Sequence, residues 1–131
     1  MEHFLKTTKE DEMINITHIV KEDLKNSNVK NGIMIVYTPH TTAAITINES
    51  YDPDVVIDIL FTLRKLVPKN PNYLHIEGNS HSHVKASMIG TSITMIIENG
   101  NLKLGTWQGV FFCEFDGPRK RKFFTKVIGE K

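Results

Sequence analysis

Between Ser92 and Ile128 the chain falls into short β-branched and aromatic segments separated only by turn signals, and this leaves few folds open to it. Ser92 to Ile97, Leu102 to Thr106, Val110 to Phe115 and Lys122 to Ile128 each read as a strand. Glu98-Asn99-Gly100-Asn101 reads as a hairpin turn, because Asn-Gly supplies the positive-φ positions of a tight loop. Strands joined this closely pair antiparallel, since a parallel partner needs a long crossover.

The upstream half adds strands and the helices that cover them. Ile33 to Tyr37 is almost continuously apolar, the pattern of a strand buried on both faces. Thr38-Pro39-His40 interrupts it, and Ala43 to Asn48 follows as a second strand. Phe4 to Ile16 is loosely extended, with Lys9-Glu10-Asp11-Glu12 as a hairpin tip. Thr17 is placed to cap a short helix whose Ile19, Val20 and Leu24 fall near one face. Asp52-Pro53 opens a longer helix, a capping side chain followed by proline at the first helical position. Its Val56, Ile59, Leu60, Leu63 and Val67 recur at helical spacing and predict packing on a sheet. After a polar stretch from Asn70 to Ser80, His83 to Ile89 predicts a third helix that Gly90 stops. Seven or eight strands with two to three helices predict an α+β fold: one domain over residues 1–131, an antiparallel β-sandwich or barrel-like sheet with packed helices.

Composition narrows the partners. Sixteen basic and fifteen acidic side chains leave a net charge of +1, which argues against a nucleic-acid-binding face. The basic run Arg119-Lys120-Arg121-Lys122 is short and alternates across a strand, so it reads as protection of a sheet edge. The lone cysteine, Cys113, excludes an internal disulfide and alternates with apolar neighbours as a buried small hydrophobe would. With no signal-like leader and no apolar run of membrane-spanning length, a cytoplasmic protein without a membrane partner is expected.

Six histidines are the unusual count, and the chemistry-bearing residues gather in bends between strands. His40 sits in one bend, with Thr41 and Thr42 beside it and Glu49 at the far end of the next strand; it either faces a cleft or bonds a loop carbonyl. His75, Glu77, His81 and His83 form a second group, and the His-x-His pair has metal-ligand spacing if extended. In a helix the same two side chains point apart, and the group is then a solvated loop. The third group holds Trp107, Gln108, Glu114, Asp116 and Arg119. Glu114 interrupts the apolar face of Val110 and Phe112, where a carboxylate needs a partner or a function. Asp116-Gly117-Pro118-Arg119 presents an acid and a guanidinium in one turn, either as a structural pair or as a phosphate contact. No Walker loop, dinucleotide fingerprint, nucleophile elbow or His-Glu-x-x-His motif is present.

HTTAAITINES from His40 to Ser50, HSHVKASMIG from His81 to Gly90, and LGTWQGVFFCEFDGPR from Leu104 to Arg119 together resemble the YjbQ-like family, also called the secondary thiamine-phosphate synthase family. The resemblance implies a homotrimer with a histidine site and weak thiamine-phosphate synthase activity on small phosphorylated metabolites. In that reaction a pyrimidine-methyl pyrophosphate joins a thiazole phosphate and pyrophosphate leaves. Carried over by motif, His40, Glu49, Trp107, Gln108, Glu114, Asp116 and Arg119 are the expected catalytic residues. His40, His75 and His83 are the expected ligands of a divalent metal, zinc or magnesium. His81 and Ser82 depart from the family pattern, which demotes His81. The alternatives are a non-catalytic module for a metal or phosphometabolite, and a metal-dependent hydrolase.

Overall fold

Strand β7 (Gln108–Glu114) is apolar on both faces and lies at the centre of the structure, a computed structural model that describes residues 1–131. On one side it pairs antiparallel with β2 (Glu12–Asn15), on the other with β4 (Ala43–Glu49). The second sheet runs in the order β1-β8-β3-β5-β6, from β1 (Glu2–Lys6), β8 (Lys120–Gly129), β3 (Gly32–Tyr37), β5 (Ser92–Glu98) and β6 (Asn101–Leu102), again antiparallel throughout. Two antiparallel sheets and three helices make this the expected α+β fold.

Side-chain alternation then builds two cores. Val110 and Phe112 of β7, with Ala43 and Ile45 of β4, meet Met34, Val36, Met95, Ile97 and Phe123 of the larger sheet. Helix α1 (Thr17–Ser27) closes this core with Val20 and Leu24. From the other face of the small sheet, Ala44, Phe111, Cys113 and Phe115 pack on Leu63 of α2 (Pro53–Leu66) and Ala86 of α3 (Ser80–Ile89). The small sheet is therefore a middle layer. Glu114 follows Phe112 and points toward the larger sheet. Cys113 is buried as expected, and burial pushes its thiol up to about 12.

Several local expectations change. The stretch before Ile16 is not a hairpin: β1 joins the larger sheet and β2 the smaller, so the turn between them bridges the two layers. Strand β3 is buried on one face only, because Ile33 and Tyr37 remain exposed opposite Met34 and Val36. Thr17 is the first helical residue, not the cap; its hydroxyl accepts the Val110 N–H at 2.8 Å and so ties α1 to β7. Asp52 does cap α2, accepting the Asp54 N–H at 2.9 Å. Of the expected strand Leu102 to Thr106 only Leu102 pairs, in the two-residue β6 that starts at Asn101 beyond the Asn99-Gly100 turn. Helix α3 starts at Ser80, three residues earlier than His83 suggests. No helix is long and apolar enough to cross a membrane.

Candidate functional site

The bend after β3 is stapled to the start of β8. Buried Thr38 donates its hydroxyl to the Lys122 carbonyl at 3.1 Å, and the Lys122 N–H donates to His40 Nε2 at 3.0 Å. These bonds hold the His40 ring at the wall of a cavity of about 390 Å3. His75 and Glu77 of the loop before α3, His83 of α3, and Asp116 and Arg119 of the turn after β7 share that wall, and Pro39 is the one apolar side chain that lines it.

Behind the wall lies a buried ion pair. Glu114 is fully buried and accepts from Arg121 Nε at 2.9 and 3.0 Å and from Arg121 Nη2. It also accepts from the Thr7 hydroxyl at 2.7 Å and from the Phe115 and Asp116 N–H groups at 3.1 and 3.2 Å. Arg121 Nη2 also donates to Thr42 Oγ1 at 2.7 Å, which anchors the His40 bend to the same pair. The neighbouring turn is held from both sides. Arg119 donates from Nε to the Asp116 carbonyl at 2.8 Å and from Nη2 to Asp116 Oδ2 at 2.9 Å. Asn79 Nδ2 donates to the same carboxylate at 2.8 Å, linking the start of α3 to the turn.

The structure thus collects His40, His75, His83, Asp116 and Arg119 in one pocket, with Glu114 supporting them from beneath. Glu49, Trp107 and Gln108 lie elsewhere in the chain. Glu49 pairs with Gln108 at the opposite end of the β4–β7 ladder from the Ala43–Glu114 pair. Six residues of strand separate the two ends, roughly 20 Å. There Trp107 meets Tyr51 edge to face with centroids 5.1 Å apart, and Gln108 Oε1 accepts the Gly105 N–H at 2.8 Å. His81 and His83 leave α3 on different sides, as two residues two apart on a helix must.

Arg121 is the residue that sequence reasoning missed. Its signal was present: alternation in β8 puts it on the inward face with Phe123 and Thr125, where Glu114 needed a partner. The basic run hid this by resembling an exposed edge.

The donor set does not form a three-histidine metal centre. A neutral imidazole has one nitrogen with a free lone pair. In His40 that nitrogen is Nε2, by the bond it accepts from Lys122, so Nδ1 carries the proton and His40 is a hydrogen-bond donor to the pocket. His75 and His83 meet edge to face at 5.5 Å between centroids, and no three or more His, Cys, Asp or Glu side chains converge as a cage. A cavity of about 530 Å3 lies away from this chemistry between α1 and the β6 turn, lined by Lys21, Lys25 and Lys30 but by no histidine or carboxylate.

Burial holds His40 below its ordinary value of 6.5, and the Arg121 guanidinium adds to this more than the Glu114 carboxylate opposes it. In the unfolded chain the ring regains its ordinary affinity, so on acidification the unfolded state binds the proton first. The contribution of His40 to stability is complete above about pH 6.5 and is lost as the pH falls below it. Urea unfolding is expected to show wild-type stability dropping from about pH 7.5 to about pH 5.5, with a smaller drop in His40→Asn. Equal slopes would mean that the ring is not held neutral. Glu10, also lowered, by its hydrogen bond with Lys69, titrates below 4.5 and stays out of that window.

Comparison with known proteins adds the relatives. The UPF0047 protein YjbQ-like family model matches residues 1–130. UPF0047 protein MJ1081 of Methanocaldococcus jannaschii is 53% identical over 127 residues, covering 97% of this chain and 92% of its own. UPF0047 protein YugU of Bacillus subtilis is 49% identical, covering 95% and 96%. A crystal structure of an uncharacterised conserved YjbQ/UPF0047 family protein from Clostridium acetobutylicum superposes with a TM-score of 0.96 at 57% identity, over 98% of this chain and 99% of that one. A YbjQ-like protein of unknown function from Sulfolobus solfataricus gives 0.95 at 32% identity, over 99% and 96%.

Proposed function

Since this chain belongs to the YjbQ/UPF0047 family, we propose that it is a small enzyme whose histidine pocket binds phosphorylated metabolites and supports the transfer that its motif resemblance implies, thiamine-phosphate synthesis. The observation that carries this reading is a pocket, polar but for Pro39, in which three imidazoles stand beside two guanidiniums. In the reaction the thiazole nitrogen attacks the pyrimidine methylene carbon. A C–N bond forms, the C–O bond to pyrophosphate breaks, and its electron pair leaves with the oxygen.

The catalyst must then neutralise the departing charge. Arg119 and Arg121 are each already paired with a carboxylate, Asp116 and Glu114. Additional positive charge has to come from an imidazole. His40 is held neutral and donates through Nδ1, so it orients a phosphate oxygen. His75 and His83 make no side-chain hydrogen bond within the protein, which leaves both free to face the ligand, and one of them as imidazolium gives its proton to the leaving oxygen.

His83→Ala, assayed for thiamine phosphate formation, is expected to lose about 10²-fold or more in rate while keeping its circular dichroism spectrum. A folded His40→Ala/His83→Ala protein working at the wild-type rate would overturn the reading. Pyrophosphate binding with no product over long incubation would instead favour a binding module.

We propose a homotrimer as the working form. Leu74 and Ile76, in the loop that carries His75, are almost wholly exposed, and Ile57 and Phe61 on one face of α2 are about half exposed. Apolar side chains grouped this way favour burial against another chain. Light scattering that gives one-chain mass at micromolar concentration would reject the assembly.

A further inference from the structure

Another cavity, of about 260 Å3 and lined mainly by charged side chains with Val67 and Pro68, lies against a different side of α3 and takes no part in the chemistry above. His81 and Lys85, one helical turn apart and both more than nine-tenths buried, form its floor. Arg64 and Lys69, with half or more of their side chains exposed, stand at its rim. Both ring nitrogens of His81 are buried without a hydrogen-bond partner, an uncommon state for a buried polar side chain.

The surrounding charges say what would satisfy them. Asp11 lies between Lys85 at 2.7 Å and Arg64 at 3.6 Å, so both of its oxygens already face cations. Glu10 Oε1 sits 3.2 Å from Lys69 Nζ and 3.6 Å from His81 Nε2, close to the imidazole but short of a hydrogen bond. Three cationic side chains against two carboxylates leave the cavity at +1 with His81 neutral. A metal cation would meet that positive charge and find the Asp11 oxygens taken.

We propose that this cavity is a binding site for a small oxyanion of phosphate's size and charge, which accepts hydrogen bonds from His81, Arg64 and Lys69 in the position where the Glu10 carboxylate now stands. Glu10 is half exposed on a flexible side chain, so it can yield that position. The carboxylate and the anion compete for the same donors.

Inorganic phosphate titrated into the full-length protein, followed by long-range ¹H–¹⁵N spectra of the six histidine rings, reads this site separately from the pocket of His83. His81 is expected to shift with its own midpoint, and that shift is expected to persist in Arg119→Ala. Arg64→Ala/Lys69→Ala, two exposed truncations, is expected to weaken the His81 response at least tenfold. Glu10→Gln is expected to tighten it severalfold by removing the competitor. The proposal is overturned if His81 stays still at tens of millimolar phosphate, if it moves only in step with His83 and falls silent in Arg119→Ala, or if Glu10→Gln binds no more tightly.

Discussion

Replacing Glu114 with alanine is expected to destabilise the fold by about 3–5 kcal/mol, the range for breaking a buried ion pair from one side. The carboxylate is fully buried, and Arg121, only 5% exposed, depends on it for charge compensation. Without it the guanidinium keeps only Thr42 as a partner and the Asp116 N–H loses its acceptor, while the Thr7 hydroxyl and the Phe115 N–H fall back on the Arg119 and Thr42 carbonyls. Glu114→Gln keeps one of the two acceptor oxygens and turns the other into an NH2 that faces donors, so it should cost less than alanine but recover only part of the loss. Glu114→Leu combined with Arg121→Met should recover much of the loss, because it deletes both charges together, though it leaves the Asp116 N–H unmet. Urea unfolding followed by far-ultraviolet circular dichroism measures all three. A loss below about 1 kcal/mol in Glu114→Ala would mean that water reaches Arg121 and that the pair does not brace the pocket.

Gly117→Ala is expected to cost about 1–3 kcal/mol and to weaken binding in the histidine pocket. A Cβ there would lie 2.2 Å from the Lys9 carbonyl oxygen and 2.8 Å from both Glu114 Cγ and Thr7 Oγ1. Two of those atoms are a backbone carbonyl and a fully engaged carboxylate stem, so the turn must move. That turn carries Asp116 and Arg119, and its shift would separate the guanidinium from His40 and His83. Gly78→Ala is the control: its φ of +77° makes a side chain strained, yet a Cβ would meet nothing within 4 Å. It should cost about 1–2 kcal/mol for the left-handed backbone alone, by destabilising a loop instead of displacing the turn. Phosphate affinity in the histidine pocket falling equally in the two variants would show that close packing at Gly117 is not what positions Arg119.

The same ion pair shows why the site was only partly legible. Glu114 announced itself, because strand alternation places it among Val110 and Phe112, where a charge cannot stand alone. Which cation would answer it was hidden, since Arg121 lies in a run of four basic residues and belongs to a different sheet. The histidines divided in a similar way. His40 was legible as a bend residue, but the use of its lone pair by the Lys122 N–H depends on β8 passing beside β3. Metal-ligand spacing in His81-Ser82-His83 lost its meaning once α3 began at Ser80, because a helix sends the two rings to different cavities.

Patterns that act over a few residues were decisive without any tertiary information: the Asp52-Pro53 start of α2, the Asn99-Gly100 turn, the two-faced apolar alternation of β7, and the burial of Cys113. Each depends on backbone sterics or on the periodicity of one element, which the sequence carries locally. Partner choice did not follow from such rules. β1 and β2 adjoin in sequence yet joined different sheets, because each could pair with a strand that also covered the core. Glu49, Trp107 and Gln108 share motifs with pocket residues, yet an extended strand carried them to the far end of the ladder. The sequence by itself determined where most of the strands and helices lie and, β3 apart, which of their faces are apolar. Only the tertiary structure decided which polar groups meet, because those meetings are selected by the burial of apolar faces far apart in the chain.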